Sequence, residues 1–231
     1  MPQPPMRLPN GVTTAGPTDP LGMYGAPDPT KWHECFDDFD TYVAGDWTIT
    51  NASSGTIALT DIDGGAILIT NNTSDDNAVF LNKKGESFLP TAGKRSIFKA
   101  RFKLSDATQS DFVIGLQITD TTPLDVTDGI YFLKTDGAAT LDVICRKNAT
   151  TGSTSATAIT TLANDTFVTV AWYYDGVSSL KYYVNDVHLG TLDASSTYLP
   201  DTELTISIGL QNGEAAAKTA TIDYYFAAQE R

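Results

Sequence analysis

The chain has 231 residues, 41% of them hydrophobic, which is enough for one large β domain or two small ones. Its 15 basic and 28 acidic residues leave a net charge of −13, which argues against nucleic acid as a partner. No stretch approaches the ~18 apolar residues of a membrane helix, so no membrane partner is expected.

Residues 1–30 read as an extended arm. The stretch MPQPPMRLPNGVTTAGPTDPLGMYGAPDP holds eight of the eleven prolines. Proline fixes φ and removes a backbone donor, so this segment favours polyproline II and turns. Its candidate partner-binding residues are Arg7, Leu8, Val12, Leu21, Met23 and Tyr24, the apolar ones serving as anchors. The prolines restrict the free chain and so lower the ordering entropy that docking costs. The arm lacks the charged-then-apolar pattern of a secretory signal.

Residues 31–231 read as one β domain. In SIFKARFKL, Phe98, Ala100, Phe102 and Leu104 point one way, and Lys99, Arg101 and Lys103 the other. DFVIGLQIT repeats the alternation with Phe112, Ile114, Leu116 and Ile118 inward. Asp136–Gly137 marks a hairpin between GIYFLK and ATLDVICRK. Val168, Val170 and Trp172 form the next stripe, followed by a turn at Asp175–Gly176. Leu180, Tyr182 and Val184 come after it, and Asn185–Asp186 turns the chain again. Leu204, Ile206, Ile208 and Leu210 make one late stripe, and Ile222, Tyr224 and Phe226 the last. The only helix-tolerant piece, GEAAAK at 213–218, is too short to fold alone. Many strands with turn signals at short spacing imply an all-β antiparallel jelly-roll sandwich. Cys35 and Cys145 are expected to be free thiols.

The stretch 166–192, with Val170 and Trp172, an Asp-Gly turn, LKYYVND and VHLGTL, resembles the late strands of concanavalin A-like lectin/glucanase sandwiches, including laminin-G-like domains. Asp186 stands where that pattern has glycine, and the closing IDYYFAA is similar to the family's last strand. The architectural likeness extends over residues 32–228. A second resemblance is shorter. RLPNGVTTA, residues 7–15, is similar to the N-terminal arms of tailed-bacteriophage virion proteins.

Glucanases of this fold place carboxylates on alternate residues of one strand, so that acid and nucleophile share a face. Asp61 and Asp63 run into Gly64–Gly65, which reads as a turn, and Glu34, Asp37, Asp38 and Asp40 do not match the spacing. His33, His188 and Cys35 make no four-ligand zinc set. Asp120, Asp125 and Asp128 share an acidic loop without EF-hand spacing, so no metal is assigned. No nucleophile elbow, Walker or dinucleotide signature occurs.

Two surfaces remain. Tyr173, Tyr183 and Tyr225 lie opposite the expected core stripes and are candidate glycan-stacking residues. Between Lys83 and Lys103 lie seven of the fifteen basic residues, opposed by Glu86 alone. Lys94, Arg95, Lys99, Arg101 and Lys103 make this either a solvated strand face or a docking surface for an acidic neighbour.

Joined to the arm resemblance, these readings imply a non-enzymatic virion structural protein, without a cofactor, that decorates the outer capsid surface. It would be made in the host cytoplasm. Its partners would be the major capsid protein and further copies of itself, by analogy a trimer. The alternatives are a carbohydrate-binding lectin-like module of a phage fibre or cell-surface protein, and a glycoside hydrolase or lyase with an atypical site.

Overall fold

The computed structural model describes residues 31–51, 54–149 and 152–231. Fifteen strands run through these residues in chain order: β1 (Trp32–Asp37), β2 (Trp47–Asn51), β3 (Thr56–Leu59), β4 (Ile67–Thr70), β5 (Ala78–Lys83), β6 (Ser96–Leu104), β7 (Ser110–Gln117), β8 (Gly129–Lys134), β9 (Thr140–Lys147), β10 (Gly152–Thr161), β11 (Val168–Tyr174), β12 (Ser179–Val184), β13 (Val187–Asp193), β14 (Thr205–Asn212) and β15 (Thr219–Glu230). Short 3-10 turns occur at Ala44–Asp46 and Pro123–Asp125.

The strands form two antiparallel sheets. The first runs β13-β12-β11-β6-β15-β4-β3, with β1 paired to the C-terminal half of β15. The second runs β10-β9-β8-β7-β14-β5-β2. Neighbours distant in the chain, such as β6 with β15 and β7 with β14, are the crossovers of a jelly roll. The core lies between the sheets. Phe98 and Trp172 stack within the first sheet with ring centroids 6.1 Å apart. Phe102 meets Phe112 across the sandwich at 4.4 Å.

Most of the alternation in the sequence translates directly into this core. The stripes of β6, β7, β11 and β14 are all buried. Gly137 adopts φ +80° in its hairpin, as the Asp-Gly pair requires. Asn185 and Asp186 have φ 48° and 64°, so both central residues are left-handed and the turn is type I′ with aspartate in the glycine position. Asp175 closes its turn by accepting the N–H groups of Val177, Ser178 and Ser179 at 2.8–3.0 Å.

β15 departs from the expected stripe. Ile222 faces Phe102, but Tyr224 faces Arg101, the very next residue along β6, so Asp223 is an extra residue forming a bulge. Beyond it the faces exchange. Tyr225 and Ala227 enter the core, and Tyr224 and Phe226 turn outward.

Both cysteines are free. Cys145 is in the core, with its thiol 3.3 Å from the Tyr198 carbonyl oxygen, and burial pushes its pKa up to about 12.

At one end of the sandwich, Lys134 is fully buried. Its ammonium donates to the carbonyls of Thr108 (2.7 Å) and Ser110, tying the β6–β7 connection to β8. Burial brings its pKa down from 10.5 to about 8, against the opposing pull of Asp111, Asp136 and Asp106. Between those values the unfolded chain holds a proton that the folded chain has released, so stability rises with pH over this window. Urea unfolding from pH 7.5 to 10.5 should show a rise on the order of 2–3 kcal/mol that Lys134→Met flattens.

Candidate functional site

The arm residues Arg7, Leu8, Val12, Leu21, Met23 and Tyr24 lie outside the described residues, as does the stretch 7–15 that carries the virion resemblance.

The basic stripe is not an open positive face. Arg95 makes a forked ion pair with Glu230, with Nε 2.8 Å from Oε1, and rests 5.5 Å above the Trp32 ring. The hydrogen bonds from Arg95 hold the Glu230 carboxyl below its usual range. Lys99 is nearly buried and binds Asp186 at 2.8 Å. Arg101 pairs with Asp223 and lies 4.0 Å over Phe167, with Lys103 over the same ring at 5.2 Å. Only Lys94 and Lys103 of the five lack such an ion pair among the described residues. Three of the five charges are therefore cancelled by the chain's own carboxylates, which leaves Lys94 and Lys103 as the uncompensated members of the expected docking surface.

The three candidate stacking tyrosines are buried. Tyr225 packs in the main core against Phe39 and Trp47 at 5.6 and 6.1 Å, with the Cys35 thiol 3.8 Å from its hydroxyl. Tyr173 and Tyr183 join Ile97 and Ala171 in a small cluster on the first sheet's outer face. A ring without exposed surface offers no platform to a sugar, so the assignment of Tyr173, Tyr183 and Tyr225 is corrected.

The acidic loop residues are likewise spoken for. Asp120 accepts the Thr122 N–H at 2.8 Å, Asp125 pairs with Arg146, and Asp128 accepts the Asn148 N–H at 3.2 Å. No described strand carries carboxylates on alternate residues.

The arrangement with sugar-recognition chemistry lies on the second sheet's outer face. A groove of about 300 Å³ runs between β5, β14 and the β7–β8 connection. Leu124 and Phe80, the latter 6% exposed, supply its apolar floor, and Asp76, Asp125 and Gln211 its polar groups. Gly209, directly opposite Phe80, has no side chain there, so the Phe80 ring lies over its backbone. Gln211 donates to Asp76 at 3.0 Å, and Arg146 holds Asp125 at 2.6 Å. An apolar floor flanked by oriented carboxylates and an amide is a combination that suits the C–H face and the hydroxyls of a sugar. A larger depression of about 590 Å³ at the sandwich end is lined by Leu89, Pro90, Tyr174, Val177 and Leu199. There Lys147 and Asp201 neutralise each other at 2.8 Å, so it offers apolar volume with little to orient a polar ligand.

Sequence reasoning missed this groove. The available signals were AVFL at 78–81, apolar on both faces of one strand, and the apolar Leu124 and Val126 inside an otherwise polar loop.

No protein-family model matches the chain, and no curated protein matches it. Solved structures do. An endo-1,3-β-glucanase from Streptomyces sioyaensis superposes with TM-score 0.62 at 14% identity, covering 89% of this chain and 99% of its own. A mixed-linkage glucan GH16 protein from Bacteroides ovatus gives 0.60 at 16%, covering 83% and 98%. Peanut lectin gives 0.56 at 11%, covering 86% and 97%. The fold is thus the concanavalin A-like jelly-roll sandwich of glucanases and lectins. Nothing in these comparisons indicates a capsid or virion protein. The expectation of a chain without enzymatic activity is also corrected. Most of these neighbours are glycoside hydrolases, and one is a glucuronan lyase, so a missing paired-carboxylate motif does not exclude catalysis on this fold.

A Cβ at residue 209 would sit 2.0 Å from the Phe80 ring. Gly209→Ala should therefore tilt that ring and lower stability by about 1–3 kcal/mol in urea unfolding, whereas Ala217→Gly, at an exposed position, should not.

Proposed function

We propose that the protein recognises a polysaccharide and seats its glycosyl units in the groove beside Phe80. The observation that carries this reading is the composition of that groove: an apolar floor of Leu124 and the nearly buried Phe80 with Asp76, Asp125 and Gln211 around it. The sandwich fold, shared with glucanases and a lectin, supports it. The net charge of −13 works against polyanionic chains, which makes neutral β-glucans the appropriate probes. Leu124 and the small exposed part of Phe80 give a pyranose apolar contact, while Asp76 and Gln211, already hydrogen-bonded to each other, are pre-oriented to share hydroxyl contacts.

A second reading, cleavage of the bound chain, is favoured by the two carboxylates lining one groove. Glycosidic bonds are broken by a general acid working with a second carboxylate, and Asp76 and Asp125 are the pair that this groove offers.

Calorimetric titration of the full chain with neutral β-glucan hexasaccharides should show binding that Phe80→Ala weakens about tenfold or more. Absence of binding to every linkage type at millimolar ligand would refute the proposal. Release of reducing ends by the wild type, abolished in both Asp76→Asn and Asp125→Asn, would establish the second reading.

A further inference from the structure

The face that holds the groove continues along the second sheet, where the chain covers it. Two rows of side chains follow the Phe80–Gly209 row. In the first, Asn82, Ser207, Gly115 and Tyr131 stand side by side on β5, β14, β7 and β8. In the second, Gln117, Gly129 and Arg146 do so on β7, β8 and β9. The Asn82 Oδ1, Gln117 Oε1, Tyr131 hydroxyl and Arg146 Nε are all buried and find no hydrogen-bond partner among the described residues. Buried polar atoms are nearly always paired, and four orphans on one patch of one sheet face need a reason. Burial pushes the Tyr131 phenol up to about 12, so it remains a hydroxyl able to donate and accept.

The covering element is the β7–β8 connection, residues 119–128. Its C-terminal end is pinned, with the Ala149 N–H donating to the Thr127 carbonyl at 2.8 Å and the Ile118 and Asn148 N–H groups donating to Asp128 at 3.2 Å, and the rest is fastened at few points. Gln117 Nε2 donates to the Pro123 carbonyl at 2.9 Å. Arg146 reaches the Asp125 carboxylate at 2.6 Å and the Val126 carbonyl at 3.0 Å. The Thr119 N–H donates to Glu86 at 2.6 Å. Val126 packs with Val113, Tyr131 and Ile144. The same connection supplies Leu124 and Asp125 to the groove, so moving it would join the groove to the covered rows.

Resting on the glycan reading above, we propose that residues 119–128 are a strap that lifts to admit a glucan chain. Beneath it, Asn82, Gln117, Tyr131 and Arg146 form a second glycosyl subsite continuous with the groove. Two carbonyl acceptors, one hydroxyl and one N–H donor match the mixed donor and acceptor pattern of sugar hydroxyls. The Arg146–Asp125 pair is the latch that lifting breaks.

Hydrogen exchange and binding on the full chain test this together. In the free protein, amides 119–127 should exchange at least tenfold faster than those of β7 and β8, and Asp125→Ala should speed them further. Tyr131→Phe removes an unpaired hydroxyl, so its Tm should hold or rise. Its affinity for a neutral β-glucan hexasaccharide should fall about five- to tenfold, while affinity for the disaccharide, which the groove alone accommodates, should not change. The inference is overturned if the strap amides exchange as slowly as β8. It is equally overturned if Tyr131→Phe lowers Tm and leaves hexasaccharide affinity intact, even with Phe80-dependent binding preserved. If the wild type binds no glucan at all, the reading of the groove itself fails, and the subsite with it.

Discussion

Asp223 is one residue too many for the pairing of β15 with β6, and the first sheet is organised around that surplus. The bulge it forms exchanges the faces of the strand, so Tyr225 and Ala227 take the core positions opposite Ala100 and Phe98. Tyr225 then fills the space between Phe39 and Trp47, which joins β15 to the β1–β2 region. Asp223 itself meets Arg101 on the neighbouring strand. A bulge thus delivers both an aromatic to the core and a carboxylate to the basic stripe. The stripe is single-signed in sequence and more than half paired in space for this reason, together with Glu230 and Asp186.

The second sheet solves a different problem, since much of it is buried on both faces. Its inner face is the sandwich core, and its outer face is capped by Phe80, by Val113 and by the 119–128 connection. Flat apposition on such a face needs positions without side chains. Gly209 lies under Phe80, and Gly115 stands where a Cβ would come within 2.6 Å of Tyr131 atoms. Backbone smoothness under two aromatics is what shapes this outer face.

Local chemistry was legible in the sequence and remote pairing was not. Strand stripes and the Asp136–Gly137, Asp175–Gly176 and Asn185–Asp186 turns follow from alternation and from φ preferences that a few residues settle among themselves. The bulge has no such signature, because aspartate between Ile222 and Tyr224 fits an alternating strand equally well. The carboxylates that neutralise Arg95, Lys99 and Arg101 lie 135, 87 and 122 residues away. No spacing rule connects residues so distant. The groove was hidden for the same reason. It is built from β5, β14 and a loop between two other strands, and none of these contains a motif alone.

The balance of energies over the second sheet's outer face explains how a covered patch can belong to a binding surface. Closing the strap buries Val126, which contributes about 1.5–3 kcal/mol. It also gains the Arg146–Asp125 pair, which is modest because the carboxylate side chain is 81% exposed. Against this, a buried polar atom left without a partner costs about 1–3 kcal/mol, and four such atoms lie beneath. Opening hydrates them all at once. The orphan penalties oppose the burial of Val126, the ion pair and the strap's hydrogen bonds to Gln117, Glu86, Arg146 and Ala149, so closing gains less than a fully paired cover would. A ligand that pairs the orphaned atoms replaces the water that opening admits and adds its own contacts along the groove, and that addition is what favours the open strap.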